Sequence, residues 1–233
     1  MHAANAKTTE QQFETVARVS LVLITVSSSM LLVATSDAAE PHLPARLPNQ
    51  GASLDEVAQS QLTQLVGSAR GYMEQLYTFS FDDGAQTGIV VSYLALTPGA
   101  PELDSEWSWR PFDEVRGKAS DSDRIVLDYA IVRLRAKIGY TTIAFHLMPE
   151  SFSLSDLQQT YETILGRPLD PRNFRRRVVS SRLLQSENRL RREGSHRPAA
   201  LYRFAGNHDP ASFLTPGIQP RRSADSSHER GPT

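Results

Sequence analysis

Apolar residues in this chain cluster in two regimes, one with the density of strands and one with the spacing of helices. Val19–Thr35 (VSLVLITVSSSMLLVAT) is rich in Val, Ile and Leu and is split by Ser27-Ser28-Ser29. Such a run broken by a short polar turn predicts two adjacent strands, Arg18–Val26 and Met30–Thr35. Tyr72–Phe81 and Ile89–Leu96 read as two more strands around a turn at Asp82-Asp83-Gly84, and Glu106–Pro111 as a short strand or edge. Between these pairs, Leu54, Val57, Ala58, Leu62, Leu65 and Val66 recur at helical spacing. Ser53 with Glu56 three positions on forms the capping box that opens this helix, and Gly67 is placed to close it. The segment Pro41–Pro48 holds three prolines, which lack a donor, and is expected to be irregular.

From Asp121 the period becomes helical. Asp123–Ile138 puts Ile125, Leu127, Ala130, Ile131, Leu134 and Ile138 on one face, with Gly139 as terminator. Ser153 caps a second helix whose inward residues are Leu157, Tyr161, Ile164 and Leu165, and Gly166 ends it. Asp170-Pro171 opens a third helix with an acidic N-cap and a proline in the first turn. The polar stretch Gln185–Pro198 leads into a strand at Ala199–Phe204. Three helices followed by a basic two-stranded hairpin is the layout of a winged helix-turn-helix. The expected organisation is a flexible 1–14, a ligand-sensing α/β domain over 15–118, a winged helix over 121–205, and a disordered tail over 206–233.

Lys7 and Arg18 before the first apolar run, and Ser36-Asp37-Ala38-Ala39 after it, give it the outline of a secretory signal. The serine break leaves apolar pieces of about eight and five residues, against the about 20 that a bilayer span needs. The strand pair is the preferred reading, with no membrane partner and a cytoplasmic location.

Net charge hides a division of the chain. The formal charge of -1 comes from 233 residues, but residues 1–150 carry 11 cations and 18 carboxylates, a net of -7. Residues 151–233 carry 14 cations, all Arg, and 8 carboxylates, a net of +6. Such asymmetry points to a nucleic-acid partner for the second half. There is no cysteine, which excludes disulfides, thiolate metal sites and a thiol nucleophile. His42, His146 and His196 have no metal-ligand spacing and are read as structural or surface groups.

The positive charge concentrates in Arg167–Arg203, where eleven Arg face three acids. At 100° per residue Phe174 and Val178 lie about 40° apart and define a buried stripe. Arg172, Asn173, Arg176 and Ser180 fall near the opposite side, with Arg175 and Arg177 on the flanks. Arg pairs bidentately with guanine and Asn with adenine in a major groove, while flanking Arg hold phosphates. Arg189, Arg191, Arg192, His196 and Arg197 are expected on the wing, at backbone or minor groove. Double-stranded DNA is favoured over RNA, because the outer face lacks the aromatics that stack on single-stranded bases.

Several stretches resemble the Nudix-related transcriptional regulators, the NrtR family. They are Phe152–Gln158, Tyr161–Gly166, Leu169–Arg176 and Arg197–Phe204 in the second half, and Glu74–Phe79, Val91–Leu96, Ile143–Phe145 and Leu147–Pro149 before it. The resemblance implies a Nudix-like α/β sandwich (a mixed sheet with helices) followed by a C-terminal winged helix. It also implies a homodimeric repressor on a palindromic operator, controlling genes of NAD or sugar metabolism. A nucleotide-type effector such as ADP-ribose would release it from DNA.

Hydrolases of the Nudix type need Arg-Glu-aliphatic-x-Glu-Glu-x-Gly on one helix, whose carboxylates hold a divalent metal. Aligned on Gly67, the Arg position is Ser60, and the carboxylate positions are Gln61, Gln64 and Leu65. Amides and an alkyl group bring no negative charge, so neither a metal cofactor nor catalytic residues are expected, and Asp55 and Glu56 read as helix N-terminal acids. Arg46, Gln61, Gln64, Tyr77, Phe79 and Tyr93 are the expected effector contacts: an Arg takes a phosphate and an aromatic stacks on a base. Two rival functions remain, an active hydrolase on a nucleoside diphosphate derivative and a scaffold for a protein partner.

Overall fold

The computed structural model describes residues 16–67, 71–82, 87–192 and 198–206. The expectations for 1–14, for Asp83-Gly84, for His196 and Arg197, and for the tail beyond Gly206 fall outside the described residues.

Strands β1 (Val16–Ser27) and β2 (Met30–Ser36) form the hairpin foreseen from the serine break, with Ser27 opposite Met30. Ser28 and Ser29 both have positive φ, 49° and 62°, the pattern of a two-residue turn whose twist matches its strands. The short β3 (Ala45–Arg46) pairs with Val19 and Ser20 of β1, which corrects the reading of Pro41–Pro48 as wholly irregular. The prolines flank β3 instead of occupying it. Pro44 has no donor, yet its carbonyl accepts from Leu21 N at 2.8 Å.

Strands β4 (Tyr72–Asp82), β5 (Thr87–Leu96) and β6 (Trp107–Pro111) complete a mixed sheet in the order β4-β5-β1-β2-β6, with β1 and β5 parallel at its centre. Each face of this sheet buries a different set of side chains. Helix α1 (Leu54–Val66) brings Val57, Ala58, Leu62 and Leu65 onto Val19, Leu21, Leu23, Val91 and Tyr93. On the other face, α2 (Phe112–Lys118) and α3 (Asp121–Ile138) cover Val22, Ile24, Val33, Val90 and Leu94. Helix α2 is two turns long, too short for a period to be legible in the sequence.

Within α3 the expected apolar face is shifted at its start: Ile125 is exposed and Val126 is buried. Ile125 lies about 165° from the centre of the stripe made by Leu127, Ala130, Ile131, Leu134 and Ile138, so it belongs to the opposite side.

Beyond a 3-10 turn at Ile143–Leu147 come β7 (Phe152–Ser153), α4 (Leu154–Leu165), α5 (Pro171–Ser180), β8 (Leu184–Arg191) and β9 (Ala199–Phe204). The three strands form a small sheet in the order β7-β9-β8. Local signals work as written: Ser153 and Asp156 make a reciprocal capping box, Gly166 ends α4 in the left-handed conformation, and Asp170 caps α5 ahead of Pro171.

One hydrophobic core runs from the large sheet through α2 and α3 to α4 and α5. Val22, Leu94, Leu127, Leu134, Tyr161, Phe174 and Val178 all belong to it. Polar contacts reinforce the junction. Leu43 N donates to Asp123 Oδ2 at the start of α3 (3.0 Å), Arg135 Nε donates to Ile164 O at the end of α4 (2.8 Å), and Ser29 at the β1–β2 turn bonds Gln159 and Thr163 of α4. Helix α3 therefore serves both halves.

Candidate nucleic-acid interface and ligand cavity

Helix α5 buries Phe174 and Val178, with Phe174 edge-on to the Tyr161 ring at 5.3 Å. Arg172, Asn173, Arg175, Arg176 and Ser180 are exposed, and Arg177 is half-buried. Arg176 Nη2 donates to Asn173 Oδ1 at 2.9 Å, which ties together two side chains suited to base edges. Arg175 reaches back toward Ser155 Oγ at 3.4 Å, at the start of α4. Ten residues of helix thus present cations outward on an apolar seam, held by a cap at one end and by tertiary packing along its length.

The wing residues separate into two kinds. Arg189 has 74% of its side chain exposed, with Glu187 at 3.9 Å, and Arg192 is exposed as well. Arg191 points inward: its Nη2 lies 2.9 Å from both carboxylate oxygens of Asp156. This corrects the placement of Arg191 among the outer wing cations, because an ion pair already holds it against α4. A register shift between Ser186 and Leu190, with Asn188 at φ 53°, sets which wing side chains face out.

A cavity of about 120 Å³ opens beside α1, lined by Arg46, Gln61 and Gln64 together with Leu65, Asp104 and Trp107. Pro44, Ala45 and Glu106 complete its wall. Gln61 is 3% exposed; its Nε2 donates to Val19 O at 3.0 Å, and its Oε1 has no hydrogen-bond partner among the described residues. The buried Oε1 is thus an unsatisfied acceptor on a residue of the cavity wall, a group that is costly to leave unpaired.

The sheet does not bring the expected aromatics there. Tyr77 and Phe79 lie on the α3 face, stacked on each other at 5.9 Å, with Tyr77 also stacked on Tyr129 at 3.8 Å. A bulge between Gln75 and Tyr77 is the cause: strict alternation from Met73 and Gln75 would have kept Tyr77 and Phe79 on the α1 face. Tyr93 is on the α1 face but donates its hydroxyl to Asp55, and it borders a separate depression with Gln59, Met73 and Gln75. Burial, then the adjacent Asp55 carboxylate, push its phenol pKa well above the usual range.

Sequence reasoning missed Asp104, Glu106 and Trp107. Asp104 and Glu106 come from the β5–β6 connection, which Asp104 N fastens to Leu65 O at 3.1 Å, and Trp107 is the first residue of β6. An acid-and-Trp cluster after Pro98-Gly99-Ala100-Pro101 was the available signal.

Helix α1 carries two carboxylates, Asp55 and Glu56, both in its first turn. Its carboxylates are engaged elsewhere, Glu56 in the capping box with Ser53 and Asp55 with Tyr93. Among the described residues no group of three or more His, Asp or Glu could hold a metal ion. No described helix is long and apolar enough to cross a membrane.

The fold is a Nudix-like α/β sandwich joined to a winged helix-turn-helix, the second a domain of DNA-binding type. Residues 144–204 match the family model of the NrtR DNA-binding winged helix domain. Over 80 residues the chain is 42% identical to the ADPR responsive transcriptional repressor NtrR of Acinetobacter baylyi (strain ATCC 33305 / BD413 / ADP1). That alignment covers 34% of this chain and 32% of the relative, about a third of its length. The crystal structure of Shewanella oneidensis NrtR complexed with a 27mer DNA superimposes with a TM-score of 0.72 at 26% identity, covering 81% of this chain and 93% of that one. A MutT/nudix family protein from Enterococcus faecalis shares the fold at 16% identity and a TM-score of 0.61, over 82% of this chain and 86% of that one. The winged helix of residues 144–204 is thus of the NrtR type, and the likeness to an NrtR structure extends over 81% of this chain.

Proposed function

We propose that this protein is a DNA-binding transcriptional repressor whose Nudix-like domain senses a nucleotide-type metabolite, ADP-ribose by analogy with the Acinetobacter relative. The observation that carries the reading is α5, with Phe174 and Val178 in the core and Arg172, Asn173 and Arg176 outward on one face. Arg172, Asn173 and Arg176 read bases in the major groove of a palindromic operator, and Arg189 and Arg192 hold backbone from the wing. The proposed units are a sensor over 15–118 and a reader over 121–205, acting as a cytoplasmic homodimer on genes of NAD or sugar metabolism.

The sensor binds without hydrolysing. Ser60, Gln61, Gln64 and Leu65 supply no charge for a metal, whereas Arg46 offers a cation to phosphate and Gln61 carries an unsatisfied amide oxygen in the cavity wall. A gel-shift titration with DNA flanking the protein's own gene, with and without ADP-ribose, tests the reading. Retarded DNA that ADP-ribose releases is expected; no shift at low salt overturns it.

A further inference from the structure

A second cationic site lies beside the outward face of α5. A groove of about 460 Å³ runs between the end of α3 and the α4–α5 turn, lined by Arg135, Arg167 and Arg177 over Leu165, Leu169 and Phe174. Asp170 is the carboxylate in this lining, and it is committed as the N-cap, accepting from Asn173 N at 2.8 Å. Arg135 is fixed in place because its Nε donates to Ile164 O, which leaves its Nη groups beside Gly166 at the groove. Asn173 lines the groove as well and also bonds Arg176, so the groove opens toward the base-reading side of α5.

Three arginines line this groove with Asp170 as the one carboxylate among its lining residues. A helix seated in a major groove has the phosphate backbone along its flanks, and phosphate is the anion that guanidinium forks fit. We infer that Arg135, Arg167 and Arg177 form a phosphate clamp that grips the DNA backbone beside α5. This rests on the DNA-binding reading above and adds to it.

The clamp has one feature that the α5 face lacks. Arg135 comes from α3, the helix packed on the sensor sheet, whereas Arg167 and Arg177 come from the reader.

The test is fluorescence anisotropy of full-length protein on two duplexes, one from beside its own gene and one of mixed sequence, across a salt series. Arg167→Ala and Arg135→Met should each flatten the slope of log K against log salt by about one, equally on both duplexes. Arg135→Lys, which keeps the charge, should retain the slope, and circular dichroism should show all three variants folded. Wild-type slopes in both Arg167→Ala and Arg135→Met, or a loss confined to one duplex, would overturn the clamp while leaving DNA binding intact. Calorimetry with inorganic phosphate and with ADP-ribose separates the source: loss of their binding in Arg167→Ala with an unchanged DNA slope assigns the groove to a free ligand and also overturns it. Absence of DNA binding by the wild type would overturn the clamp and the function together.

Discussion

Arg191 of β8 holds Asp156 of α4 through one guanidinium nitrogen placed 2.9 Å from each carboxylate oxygen. The wing is thereby fastened to the first turn of the helix-turn-helix, where Asp156 Oδ2 also accepts from Ser153 N at 2.8 Å. Burial alone would raise the pKa of this carboxyl, but the bonds from Arg191 and Ser153 outweigh it and hold it below the ordinary Asp range. A depressed carboxyl stabilises the fold above its unfolded pKa, about 3.9, and that contribution is lost as pH falls through the lower folded value. Thermal melts from pH 6 down to pH 2, as a rough span, should show a shallower acid decline in Asp156→Asn than in wild type. Superimposable acid limbs would exclude the pair as a source of acid sensitivity.

Base-reading and backbone-holding arginines should separate by their response to sequence. Arg176→Ala should cost about 1–3 kcal/mol on the operator and far less on mixed-sequence DNA. Arg189→Ala should weaken both duplexes alike and lower the salt slope by about one. Anisotropy titrations with both duplexes measure this directly, and an equal loss on both for Arg176→Ala would remove it from the base-reading set.

Gln61 links the cavity to the centre of the sheet through its bond to Val19 O. Gln61→Leu leaves that buried carbonyl without its side-chain donor and should destabilise the protein by about 1–3 kcal/mol. The same change should abolish the rise in Tm produced by ADP-ribose, whereas Gln64→Leu, at an exposed position, should leave basal stability near wild type. A full ligand-induced shift in Gln61→Leu would mean that the effector binds elsewhere. Purified wild type given Mg²⁺ and ADP-ribose should release no AMP.

Phe174 belongs to the core that reaches from α5 into the large sheet. Phe174→Ala should cost about 3–5 kcal/mol, the range for an emptied aromatic site. The protein's two tryptophans, Trp107 and Trp109, both lie in β6 at the far edge of that sheet. If the core unfolds as one unit, their fluorescence should report a lower urea midpoint for this reader mutation. An unmoved tryptophan transition, alongside a lower midpoint by circular dichroism, would show two independent units.

Much of the fold was legible because its signals are local. The serine break fixed the first hairpin, the Ser53, Ser153 and Asp170 caps fixed three helix starts, and Gly67 and Gly166 fixed two ends. The α5 stripe was legible as well, since Phe174 and Val178 are separated by one helical turn. Elements that draw their stability from partners were not: β3 and β7 have two residues each and exist through pairing with β1 and β9.

The sequence by itself determined the two-part architecture, the cationic helix and the absence of charge at Gln61, Gln64 and Leu65, because period, capping and residue chemistry act over a few positions. Tertiary structure decided what each exposed or aromatic group is used for. One inserted residue in β4 sent Tyr77 and Phe79 to the face opposite the cavity, since a strand's side chains alternate and a bulge reverses the phase. Asp156 took Arg191 away from the wing surface, and the β5–β6 connection carried Asp104 to the cavity, where Trp107 at the start of β6 joins it. Those outcomes depend on which segments meet in space, and contacts between residues distant in the chain leave no period in the sequence to read.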